Sequence, residues 1–122
     1  MKRMIWLFAL VSSVSSCYYD NREDLFVYLD SQPCEFTTVS YLDDIVPVLD
    51  QYCVSCHRPG DLQGGIDLVG YDQANKYARD GSLYGSTNHA SGYVPMPLGS
   101  RKIPSCDIQK LKAWIDSGAL NN

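Results

Sequence analysis

Residues 52 to 60 read "YCVSCHRPG", so Cys53 and Cys56 stand three positions apart with His57 directly after the second. Three chemistries use cysteines at that spacing: a redox dithiol, part of a zinc site, and the thioether attachment of a haem. A thioredoxin-like dithiol needs a strand leading in and a helix leading out. Here a helical pattern leads in, and Pro59 and Gly60 follow. Zinc needs four ligands, for which Cys53, Cys56, His57 and His89 are the candidates, and adjacent Cys56 and His57 can hardly both reach one tetrahedral ion. Haem fits the spacing, because two cysteines at the end of a helix can each bond one vinyl group while the next imidazole faces the iron. His57 would bind through one ring nitrogen, and the Pro59 carbonyl is the candidate acceptor for its other N–H.

The opposite axial position draws attention to "SGYVPMPLGSRK", residues 91 to 102. Met96 lies there between Pro95 and Pro97, 39 residues beyond His57. A thioether on a loop stiffened by two prolines closes the distal face of a haem with little ordering on binding. His89 is the competing imidazole, but "STNHASG" is polar and ends in glycine, which places His89 at the surface or behind the ligands. Tyr93 and Trp114 are expected as pocket walls rather than an electron path. Arg101 and Lys102 either pair with haem propionates or form a solvated turn, and the residues alone do not choose.

The N-terminus decides the compartment. Lys2 and Arg3 precede an apolar run from Met4 to Val11, and small residues lead to Cys17, the order of a secretory signal too short to stay as a membrane span. "VSSC", Val14 to Cys17, resembles a bacterial lipobox. Residues 1–16 are then a lipoprotein signal peptide and Cys17 is the lipidated first residue of the mature chain, anchored to a cell-envelope membrane on its periplasmic or surface side. Ordinary cleavage nearby would instead leave Cys17 as a thiol. The mature 106 residues carry 8 basic against 14 acidic side chains, with no basic stripe for nucleic acid. Of the five cysteines, Cys34 and Cys106 remain once Cys17, Cys53 and Cys56 are assigned, and an even remainder in an exported chain predicts a disulfide. Closing so long a loop adds on the order of 3 to 4 kcal/mol to a small core.

The elements that must position these residues are short helices joined by long loops. Residues 17–38 read as a tether ordered around Cys34, and residues 39–122 as one small all-α domain. A first helix is expected over Ile45–Cys53, capped by Asp44 or Ser40, with Pro47 in its first turn and Val46, Leu49 and Cys53 on one face. A second is expected from Asp72 to Ala78 between Gly70 and Gly81, while the alternating Ile66 and Leu68 are too few for a sheet. The last is capped by Ser105, carries the stripe Ile108, Leu111, Trp114 and Ile115, turns Lys110 and Lys112 to solvent, and ends at Gly118.

Residues 41 to 119 resemble a class I cytochrome c domain, the compact monohaem kind of bacterial lipoproteins. "DIVPVLDQYCVSCH", "GGIDLVGYD", "GYVPMP" and "IQKLKAWIDSGA" carry the likeness in that order. The resemblance implies a small cytochrome c-like fold around one covalent haem c, with Cys53 and Cys56 as thioethers and His57 and Met96 as axial ligands. It implies an electron-transfer protein rather than an enzyme. Filled axial positions leave one-electron exchange, and the acidic surface calls for a redox partner with a basic docking patch. The alternatives are a haem-based ligand sensor or weak peroxidase in which Met96 dissociates, and an adaptor lipoprotein. The N-terminal extension and the Cys34 and Cys106 pair lie outside the usual pattern.

Overall fold

In the computed structural model, which describes residues 34–122, Ser40 opens the first helical segment by a reciprocal bond. Its hydroxyl oxygen accepts from the Asp43 N–H (3.3 Å), and its own N–H donates to the Asp44 carboxylate (3.0 Å). Ser40, rather than Asp44, is therefore the cap. The turn Tyr41–Ile45 is π-helical, with the Ile45 and Val46 N–H groups bonding five residues back, and it runs into α1 (Val46–Tyr52). Helical structure thus starts four residues earlier than the expected Ile45, with Pro47 in the first turn of α1 as expected. The proposed signal peptide, the lipidation at Cys17 and most of the tether lie outside the described residues.

After α1 the chain makes a minimal hairpin, β1 (His57–Arg58) against β2 (Asp61–Leu62), joined by Pro59 and Gly60. Proline presets the first corner and Gly60, at φ +94°, supplies the left-handed second one that a type II turn requires. Ile66 follows in extended backbone, and neither it nor Leu68 is part of a strand. The described residues are 47% helix and 4% strand with long loops, a small helical fold.

α2 (Tyr71–Arg79) matches the expected second helix. Gly81 then turns the chain, at φ +82°, into α3 (Ser82–Thr87), which has no counterpart in the sequence expectations. "SLYGST" carries no apolar stripe and mixes glycine with hydroxyl residues, so its helicity comes from packing against α2 and against α4 (Ser105–Asp116). Ser105 is the first residue of α4 rather than its cap. Pro104, with extended backbone, occupies the cap position without a side-chain bond. At the other end the Gly118 N–H reaches the Ile115 carbonyl (3.0 Å) and the Ala119 N–H the Trp114 carbonyl (2.8 Å), the glycine-terminated closure that the sequence suggested.

α4 lies against the opening π-helical turn, and the core forms between them. Trp114, Ile45, Leu49 and Leu111 are fully buried. The Tyr41 ring sits 5.5 Å from the Trp114 indole and edge-on to Tyr71 at 5.2 Å. Lys110, expected on the solvated face, instead pairs with Asp44 (2.9 Å) and ties α4 to the first turn. Lys112 remains exposed and pairs with Asp116 one turn on. Cys34 and Cys106 form the expected disulfide. Among the described residues no helix is long and apolar enough to cross a membrane.

Candidate functional site

The motif is set by how α1 ends. The N–H groups of Cys53 and Val54 both reach the Leu49 carbonyl (2.9 Å each), so the last turn widens. The Cys53 carbonyl then accepts from both Cys56 (3.1 Å) and His57 (3.0 Å), folding the two cysteines and the histidine into one tight turn. Two further bonds pin it: Gln63 N–H to the Cys56 carbonyl (3.2 Å) and Leu68 N–H to the His57 carbonyl (2.9 Å). Cys53 and His57 are buried, and Cys56 is exposed.

Electrostatics separates the candidate chemistries. With Cys34 and Cys106 paired, Cys53 and Cys56 are both free thiols. Burial, reinforced by the neighbouring Cys56, pushes the Cys53 thiol up to about 11. A dithiol catalyst needs the opposite: a lowered thiol at the start of a helix, partly exposed. Cys53 lies at the end of a helix and stays protonated at neutral pH, so it is a poor redox nucleophile. For zinc, no group of three or more His, Cys, Asp or Glu side chains among the described residues is arranged to share an ion.

His57 carries the most informative atom. Its Nδ1 is buried and has no hydrogen-bond partner. The Pro59 carbonyl expected to receive it does not, because Pro59 is committed to the hairpin corner and is exposed. A buried polar atom without a partner is costly, which sets His57 apart from the other polar side chains of the described residues.

Met96 is held from the side of α3. Its N–H donates to the Ser86 carbonyl (3.0 Å), and the His89 Nε2 bonds its carbonyl (3.0 Å). His89 is therefore neither an isolated surface group nor aimed outward; it lies behind Met96, holding its backbone. Tyr93 braces the same loop. Its ring lies so close to the Cα of Gly85 that a Cβ built there would be 2.5 Å from it, so only glycine fits in α3 at that point. No side-chain pattern announced the roles of Ser86 and Gly85, one acting through a carbonyl and the other through the lack of a side chain.

The remaining candidates are less concentrated. Trp114 is a core residue whose indole N–H donates to the Leu120 carbonyl (2.8 Å). Tyr93 is exposed on the loop. Lys102 donates to the Asn88 side chain (3.3 Å), and Arg101 beside it is exposed. Leu62 on the hairpin and Tyr93, Val94 and Leu98 on the methionine loop leave large apolar surfaces in water. A separate cleft of about 410 Å³ lies between the first helical segment and residues 68–71, lined by Leu42, Val46, Leu49, Asp50 and Tyr71 among others, and contains none of the motif residues.

No family model matches the chain, and no solved structure matches it. It is 33% identical over 81 residues to the hydrazine synthase subunit alpha of Kuenenia stuttgartiensis, a match covering 63% of this chain and 10% of that protein. The chain therefore spans about a tenth of the length of the curated relative it matches.

Proposed function

We propose that this chain is a lipid-anchored monohaem c-type cytochrome that passes single electrons and is not itself an enzyme. The observation that carries the proposal is the state of the motif turn. Cys53 and Cys56 are spare thiols beside a buried His57 whose Nδ1 lacks a partner. Those residues fit a covalent haem: two sulfurs for thioethers and an imidazole for the iron. The exposed apolar side chains on the hairpin and the methionine loop support the fit, since a macrocycle would give them cover. When bound, the haem supplies a reversible one-electron couple whose potential Met/His ligation raises relative to two histidines.

The chain's own residues do the rest. The Cys53 carbonyl, accepting from Cys56 and His57, keeps sulfurs and imidazole in one turn. The α3 contacts hold the backbone of Met96, whose thioether would be the second protein group to hold the haem iron. The likeness to a short part of a hydrazine synthase subunit supports a module that also occurs inside a longer chain. The excess of acidic residues favours a partner with a basic docking patch, in encounters that weaken with salt. Signal peptide 1–16 and acylation at Cys17 would place it on a bacterial envelope membrane.

Mass spectrometry of the protein exported by a host with haem-attachment machinery tests this directly. The expected result is one haem per chain, lost in Cys53→Ser/Cys56→Ser, and acylation at Cys17. A wild-type chain that matures without haem sinks the proposal. Rapid carbon monoxide binding by the reduced wild type would instead favour the ligand sensor.

A further inference from the structure

We infer that His89 is the positioning residue that holds Met96 ready as an axial ligand, so that the imidazole not used on the iron governs how firmly the thioether stays there. The inference rests on the haem reading above and adds a residue to it. Both polar groups of Met96 are gripped by one short stretch at the end of α3: its N–H by the Ser86 carbonyl (3.0 Å) and its C=O by His89 Nε2 (3.0 Å). A carbonyl only accepts, so the ring must present Nε2–H to it. With both groups fixed, the thioether can swing only through its own side-chain torsions.

The backbone of His89 is set by the end of α3, independently of its bond to Met96. His89 sits at φ +52°, in the left-handed region that glycine enters without strain. A non-glycine residue keeps such a conformation only when its surroundings over-determine it. Here the surroundings are the α3 end itself, where the His89 N–H reaches the Ser86 carbonyl (3.2 Å) and the Ala90 N–H the Gly85 carbonyl (2.9 Å). Glycine at position 89 would satisfy the backbone and leave Met96 without its donor.

That difference makes the test. His89→Gly relieves the backbone and deletes the bond, and His89→Gln keeps a donor of comparable reach. In the haem-loaded protein, His89→Gly is expected to weaken the methionine-to-iron charge-transfer band and to speed carbon monoxide binding by the reduced form at least tenfold. His89→Gln should recover most of both. In haem-free chain, amide exchange at Met96 should rise at least tenfold in His89→Gly, with the melting temperature unchanged or higher. A His89→Gly protein with wild-type band, carbon monoxide rate and Met96 exchange overturns the inference. If wild type carries no haem by mass, the cytochrome reading fails by itself, and the exchange measurement still decides whether His89 holds the loop.

Discussion

Lys110 on α4 and Asp44 in the opening turn are joined at 2.9 Å, and the same Asp44 carboxylate accepts the Ser40 N–H. One side chain thus completes the reciprocal bond to the Ser40 cap and fastens the first helical segment to the last. The Ser40 N–H and the Lys110 ammonium hold the Asp44 carboxyl below the usual carboxylate range. A depressed folded-state value means that the stabilisation is fully present above the ordinary carboxylate range and is lost as pH falls through the depressed value. Asp44→Asn should cost about 1 kcal/mol at neutral pH, and the difference in melting temperature from wild type should shrink to nothing in acid. A gap that persists unchanged at low pH would contradict it.

Asp107 behaves in the opposite sense. Burial raises its carboxyl, outweighing Lys110 and the Tyr52 hydroxyl, so the fold favours the protonated form and Asp107 costs stability as pH rises through its raised value. Asp107→Asn should therefore narrow the loss of stability between mildly acidic and neutral pH. Melting curves should show the Asp107→Asn difference from wild type changing between mildly acidic and neutral pH, and the Asp44→Asn difference changing only at lower pH.

The Cys34–Cys106 disulfide closes a separation of 72 residues. Opening it with Cys34→Ser/Cys106→Ser should lower unfolding free energy by about 3 to 5 kcal/mol in urea titrations. The motif thiols are not part of that bridge, so Cys53 and Cys56 should react with a thiol reagent equally in both unfolded haem-free proteins.

Gly85 has no room for a methyl group beneath Tyr93. Gly85→Ala is expected to displace Tyr93 and loosen the methionine loop, lowering stability by about 1 to 3 kcal/mol. Adding Tyr93→Ala should recover part of that loss, and a double-mutant cycle would read a coupling of about 1 kcal/mol or more. Strict additivity would show that the two do not meet.

Trp114 is fully buried between α4 and Tyr41 and donates to Leu120. Trp114→Ala should cost about 3 to 5 kcal/mol, as for other large core truncations. Trp114→Phe keeps much of the volume but orphans the Leu120 carbonyl, and should cost roughly 1 to 2 kcal/mol. Equal losses would show that the ring volume retained by phenylalanine contributes nothing to the packing.

By itself the sequence determined what depends on neighbours along the chain or on parity. Pro47 marks the first helix, with Asp44 and Ser40 both open as its cap, the Leu111 and Trp114 stripe with Gly118 marks the last, and the cysteine remainder predicts the Cys34–Cys106 bridge. Three-residue spacing likewise brings Cys53, Cys56 and His57 into one turn wherever the chain bends. Tertiary structure alone decided the existence of α3, which weak local propensity does not support, and with it the brace of Tyr93 on Gly85 and of His89 on Met96. It also decided that Lys110 faces Asp44, that Trp114 belongs to the core, and that Cys53 is buried deeply enough to stay protonated. Burial, desolvation and the choice of a partner are properties of the space between segments, and no spacing within one segment encodes them.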